Sequence, residues 1–229
     1  KYLLAYYQIL ERRLLKMTYI FDNIENFTDA DFFQTIQYAS NGRIEKIMKY
    51  KFMIDKKTSL IAYLLLTYGI KKEFGIEKMP EVLTEKFGKP YLKNRNISFN
   101  LSHTRNGVMC SIYKNRVGCD IENVVEKIIP AKSILCPNEI EMIGDNTKYF
   151  TKIWTLKEAY SKCTGLGLTE KLNNIDFSRF INIKIFKIND YLFFSDNKQY
   201  LHYSICIENI YEDIKRIQFL SKTELLKTI

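Results

Sequence analysis

The stretch RVGCDIE, Arg116 to Glu122, decides how this chain folds. Val117, Cys119 and Ile121 alternate with Gly118, Asp120 and Glu122, which is the period of a β-strand whose successive side chains leave opposite faces. One face is apolar and the other carries two carboxylates. Further on, WTLKEAYSK, Trp154 to Lys162, changes to the period of a helix. Trp154, Glu158 and Lys162 stand four apart on one stripe with Lys157 beside them, while Ile153, Leu156, Tyr160 and Cys163 form the other side. A half-apolar strand followed by an amphipathic helix predicts a sheet with helices packed on one side.

The flanks extend that pattern. Polar Asp145, Asn146 and Thr147 cap a helix from about Lys148 to Thr164, and Gly165 ends it. A shorter helix follows Pro137. Strands are expected around Ile181, Ile183 and Ile185, at Tyr191 to Phe194, at Tyr200 to Ile207 and at Ile217 to Leu220. Upstream, MTYIFDN from Met17 reads as a strand, and helical spacing runs from Thr28 to Phe52. Another helix opens at Asp55 and is apolar nearly all round, so it belongs in a core. Ile97 to Leu101 and Val108 to Tyr113 read as strands joined by a polar turn. No Pro/Gly/Ser-rich linker separates the halves. The expected class is α+β, with two similar lobes over 17–115 and 116–229, each a small antiparallel sheet packed with helices. Residues 1–16 read as an extension, with Met17 either a native start or an internal methionine of an amphipathic helix.

The 229 residues, 46% hydrophobic and 27% charged, exclude disorder and fibrous repeats. A net charge of +9 favours an anionic partner: nucleic acid, an acidic protein or a phosphorylated small molecule. No nucleic-acid recognition motif or basic-aromatic stripe is present, so a nucleic-acid-binding module is the lesser alternative. Five cysteines without a CxxC pair and two histidines make no zinc site, and an odd thiol count suits a cytoplasmic protein. The longest apolar run, Leu60 to Ile70, falls short of a membrane span, so no membrane partner is expected.

Acid-x-acid triplets occur three times, at Asp29/Asp31, Asp120/Glu122 and Glu139/Glu141. Two of these open helices, where acids complement the macrodipole. Asp120 and Glu122 instead leave one face of a strand together, and a hard divalent cation would relieve their repulsion. Ser102 and His103 stand at a strand end with no acid placed to complete a hydrolytic triad.

Joined together, GKPYL from Gly88, ISFNLSHT from Ile97, VGCDIE from Val117 and WTLKEAYSK from Trp154 resemble the Sfp-type 4'-phosphopantetheinyl transferases. GxDxE followed by WxxKExxxK is far more specific than any acid triplet. The resemblance implies a pseudo-twofold fold of two α+β lobes. It implies Mg2+ as cofactor, coenzyme A as donor and, as partner, an acyl or peptidyl carrier protein whose serine receives the 4'-phosphopantetheine group. By the same resemblance Asp120, Glu122 and Glu158 ligate the metal, Glu158 is the general base, and Lys162 stabilises or protonates the departing bisphosphate. Lys157, Ser102 and His103 would contact phosphates, and Lys89 with Pro90 would form the adenine-side turn. A monomer is expected, and a Mg-dependent pyrophosphate hydrolase would use the same acids.

One departure stands out. Where the family commonly carries an arginine for the 3'-phosphate, three residues after the aspartate that opens the second helix, this chain has Thr58. Lys46, Lys57, Lys56 and Arg43 are the basic residues nearby.

Overall fold

The alternation around Asp120 is realised as a strand with a helix against its acidic face. The computed structural model of the chain describes residues 17–85, 88–128, 133–208 and 217–227. The 1–16 extension lies outside the described residues.

The first lobe is built on β1 (Met17–Phe21), β4 (Ser98–Thr104) and β5 (Gly107–Tyr113), paired antiparallel in the order β1-β5-β4. Its helices are α1 (Asp29–Thr35), α2 (Asn41–Met48) and α3 (Met53–Phe74). Thr28 and Asp31 form a capping box that starts α1. The helix that is apolar all round, α3, is buried along its middle from Thr58 to Leu66. At Gly69 it lies so close to the sheet that a Cβ there would sit 2.3 Å from Ile112 Cδ1. A small hairpin of β2 (Val82–Thr84) and β3 (Pro90–Leu92) adjoins this lobe.

The second lobe holds β6 (Val117–Asn123), α4 (Pro137–Ile143), α5 (Thr147–Thr164), β7 (Ile185–Ile188), β8 (Tyr191–Lys198) and β9 (Leu201–Glu208). Its strands pair antiparallel in the order β6-β9-β8-β7. Asn146 caps α5 by accepting from the Lys148 and Tyr149 amides, and Gly165 ends it at φ 78°. The strand expected through Ile181 and Ile183 begins only at Ile185. The Lys152 ammonium takes the carbonyls of both isoleucines, which leaves them in a turn.

The C-terminal segment does not stay with the second lobe. β10 (Ile217–Phe219) pairs parallel with β1, and Leu220 together with Leu225 of α6 (Lys222–Leu226) joins the first lobe's core. Leu220, Leu225 and Leu226 thus pack with the first lobe although they follow the second in the chain, while Ile217 and Phe219 pack against the shared interface.

Alternating residues assign three cores. In β5, Val108, Cys110 and Ile112 face α3, while Met109 and Tyr113 face the second lobe. There they meet Val117, Cys119 and Ile121 of β6 and Tyr203, Ile205 and Ile207 of β9. Each lobe is thus one sheet with a long helix outside, and the two sheets share an apolar interface, as in the duplicated fold expected from the sequence.

Candidate active site

The two lobes meet along their edge strands, β4 and β6, and side chains replace the backbone ladder there. Ser98 Oγ accepts the Val117 amide at 3.2 Å, Asn100 Oδ1 accepts the Cys119 amide at 2.8 Å, and Ser102 Oγ accepts the Ile121 amide at 3.4 Å. Polar residues at every second position of β4 satisfy donors that an exposed edge would leave open. Their alternation with Phe99 and Leu101 is the sequence signal of a strand with one polar face. The zipper delivers Ser102 to Asp120, whose Oδ1 it meets at 2.7 Å.

From the other side, α5 rests directly on β6. A Cβ at Gly118 would lie 2.0 Å from the Ala159 carbonyl oxygen and 2.3 Å from the Cys163 nitrogen, so only glycine admits this approach. The contact carries Glu158 and Lys162 to the acidic face of the strand. Lys162 Nζ lies 2.6 Å from Asp120 Oδ1, 3.2 Å from Ser102 Oγ and 3.9 Å from Glu158 Oε2.

The electrostatics follow from that crowding. Asp120 is 2% exposed, and its Oδ2 is buried with no hydrogen-bond partner. Burial, then the neighbouring Asp120, pushes the Glu122 carboxyl up to about 7, against the opposing Lys162 charge and a Thr104 hydrogen bond. Burial also raises Glu158, with Lys162 opposing. For Lys162, burial would lower the pKa, but the Asp120 charge and hydrogen bond outweigh it and hold the ammonium above its ordinary value. The site thus has more carboxylate than cation, and the fold brings Asp120, Glu122, Glu158 and Lys162 near one another.

Other expected residues are placed differently. Lys157 is fully buried, bonded to Glu139 at 2.9 Å and to the carbonyls of Leu172 and Ile175. Its ammonium is engaged inside the second lobe by that carboxylate and those two carbonyls. Lys57 pairs with Asp29 at 2.6 Å, and Lys46 is exposed on the last turn of α2. Lys89 reaches across to the carbonyls of Val117, Lys162 and Cys163, and Pro90 opens β3. Thr58 is buried with its hydroxyl on the Asp55 carbonyl.

Arg43 is the stronger cation near that position. Its Nη2 donates to the Ser59 carbonyl at 2.6 Å and to Ser59 Oγ, while its Nε is buried without a partner. Burial lowers its pKa, and only Tyr50 and Tyr63 oppose that. His103 opens to solvent beside it. Surrounding protein, then the Lys162 charge, lowers the His103 pKa, with Arg43 adding to this and Asp55 opposing it.

Among the described residues, Cys136, Glu139 and Asp176 form the group of potential ligands whose atoms lie within 4.8 Å of one another. That cluster is already satisfied: Glu139 accepts the Cys136 and Phe177 amides and pairs with Lys157, while Asp176 accepts from Asn138 and Ser178. A soft thiol also suits magnesium poorly. Asp120, Glu122 and Glu158 stand further apart, with the Lys162 ammonium among them.

The sequence of the chain is similar to those of known proteins of one family. The chain is 32% identical over 166 residues to an L-aminoadipate-semialdehyde dehydrogenase-phosphopantetheinyl transferase of Candida glabrata, covering 62% of each chain. It is 27% identical over 146 residues to a 4'-phosphopantetheinyl transferase of Bacillus subtilis, covering 59% of this chain and 64% of that one. The matches therefore span less than two thirds of either relative. The transferase HetI of Nostoc sp. is 35% identical over 109 residues, 41% of this chain and 45% of its own. The N-terminal 4'-phosphopantetheinyl transferase family matches residues 26–112, and the 4'-phosphopantetheinyl transferase superfamily matches 116–214. With one such profile on each lobe, on either side of the β4–β6 seam that holds the acids, the chain belongs to the 4'-phosphopantetheinyl transferase superfamily.

Proposed function

We propose that this protein transfers the 4'-phosphopantetheine group of coenzyme A to a serine of an acyl or peptidyl carrier protein, in the Sfp-type manner. The observation that carries the reading is Asp120, a buried acid with one oxygen on Lys162 and the other without a partner, beside two carboxyls of raised pKa. That excess of hard oxygen ligands fits a magnesium ion, which Asp120, Glu122 and Glu158 would hold. When bound, it neutralises charge on the pyrophosphate oxygens.

The chain's own residues perform the rest. The serine hydroxyl attacks the pyrophosphate phosphorus next to the pantetheine arm, and the bond to adenosine 3',5'-bisphosphate breaks. Glu158 takes the serine proton, and its raised pKa makes it a better base. Lys162 stays protonated because its own pKa is raised, so it stabilises charge on the leaving bisphosphate better than it donates a proton. Arg43 and His103 hold the 3'-phosphate in place of the arginine missing at Thr58, since the unpartnered Arg43 Nε offers a charge-assisted contact.

The test is mass spectrometry of apo-carriers incubated with coenzyme A and Mg2+. The unmodified protein adds the pantetheine arm, and Glu158→Gln slows this by at least about 10²-fold, the ordinary cost of losing a general base. Transfer by the variant at the full rate would remove Glu158 from the reaction. Arg43→Met lowers kcat/KM for coenzyme A about 10-fold or more relative to the 3'-dephospho donor, as loss of a charge-assisted bond predicts. An unchanged ratio would place the 3'-phosphate elsewhere.

A further inference from the structure

Lys89 stands in a turn of the first lobe, yet its ammonium works on the second. It donates to Lys162 O at 2.9 Å, Val117 O at 3.1 Å and Cys163 O at 3.2 Å. Three acceptors use all three protons of the ammonium. Two of the carbonyls end α5, where the helix dipole is negative, and the third opens β6. Gly118 is what brings them together, because it lets the backbone of residues 159–163 lie against the strand. Arg116 also caps this end, through Cys163 O and Thr164 O. Lys89 differs in reaching the carbonyl of Lys162 itself, the residue whose ammonium sits on Asp120 at 2.6 Å. Residue 162 is thus held at its backbone by Lys89 and at its side chain by Asp120.

We propose that Lys89 is a positioning residue: it holds the last turn of α5 on β6 so that the Lys162 ammonium meets Asp120, and it does not itself bind the donor. The inference rests on the transfer reaction proposed above. A lysine that binds an anionic donor keeps its ammonium open toward the ligand, whereas this one is spent on backbone carbonyls of the other lobe. An arginine replaces it poorly, because a planar fork does not match three carbonyls converging on one point.

The experiment compares Lys89→Met, Lys89→Arg, Lys162→Met and the double variant Lys89→Met/Lys162→Met in the full chain. Steady-state transfer from coenzyme A to an apo-carrier is measured alongside hydrogen exchange of α5. Both Lys89 variants lower kcat at least 10-fold with KM for coenzyme A changed less than 3-fold. Lys89→Met adds no further loss in the Lys162→Met background, since it acts through that residue. Exchange in the last turn of α5 quickens at least 10-fold while the first turn is unaffected. If Lys89→Met does not fold, Lys89→Arg keeps the charge and still decides: a donor-binding lysine is served by arginine, a positioning one is not. A KM rise of 10-fold or more with kcat retained, additive losses, or unchanged exchange would overturn the proposal. If the unmodified protein transfers nothing, the transferase reading fails, and the exchange comparison still decides whether Lys89 holds this turn.

Discussion

A lysine beside Glu158, the proposed base, invites a phosphate-binding role, but Lys157 is committed to partners inside the second lobe. It lies four residues after Ile153 and three before Tyr160, which is the spacing of the buried stripe and not of the Glu158 stripe. Burial lowers its pKa, the Glu139 charge and hydrogen bond oppose this, and the two form a pair with no exposure on either side. The pair also ties the carbonyls of Leu172 and Ile175 to α5. Lys157→Met would leave the Glu139 carboxylate buried without its counter-ion, held only by the Cys136 and Phe177 amides, at a cost of about 3–5 kcal/mol. Urea unfolding measures it, and Glu139→Gln in the same chain should restore part of the loss. A change below about 1 kcal/mol would mean that the pair does not hold this region.

At the scale of elements, the site exists because two edges are joined. Neither β4 nor β6 completes its sheet, and Ser98, Asn100 and Ser102 close the seam with side chains. The seam puts Asp120 under Ser102, and Gly118 lets α5 descend on it. Gly118→Ala sets a methyl group against the helix backbone at Ala159 and Cys163, where no rotamer can yield. The expected loss is about 3 kcal/mol or more, at the upper end of overpacking costs, together with a fall in transfer rate as α5 is pushed from Asp120. Circular dichroism melting checks the first effect and carrier modification the second. A variant with unchanged melting temperature and rate would show that the helix has room to spare.

Across the whole molecule, the chain crosses between lobes more than once: β10 and α6 close the first lobe after the second has been built, and Lys89 reaches from the first into the second. No helix among the described residues is long and apolar enough to cross a membrane. One buried group links global stability to pH. His202 pairs across β9 with Glu122 of β6 and is 8% exposed. Burial, then Lys152 and Lys148, brings its pKa down from 6.5 to about 4, with Asp196 opposing. The folded chain therefore refuses a proton that the unfolded chain accepts. This group's contribution is constant above about pH 6.5 and declines as pH falls towards about 4, by up to about 3 kcal/mol. Chemical denaturation at pH 7, 5.5 and 4.5 should show the decline, and His202→Gln should flatten it; an identical slope in the variant would assign the effect to other groups.

Local rules were enough for the elements that carry the chemistry. The alternation of Val117 to Glu122, the four-residue stripe of Glu158 and Lys162, the Asn146 cap and the Gly165 stop are each decided within a few residues, and all appear in the structure. That made the two-lobed α+β class and the acid-and-lysine constellation legible in the sequence. The partners of Lys89, Lys157, Arg43 and Thr58 were not, nor was the return of 217–226 to the first lobe. A long side chain is committed by whatever carbonyl or carboxylate the fold brings to it, and those partners lie on other elements: Lys162 for Lys89, Glu139 for Lys157, Ser59 for Arg43. Periodicity states which face a residue takes; only the tertiary structure decides what stands opposite, because burial makes every polar group there find a partner or remain, like Asp120 Oδ2, without one.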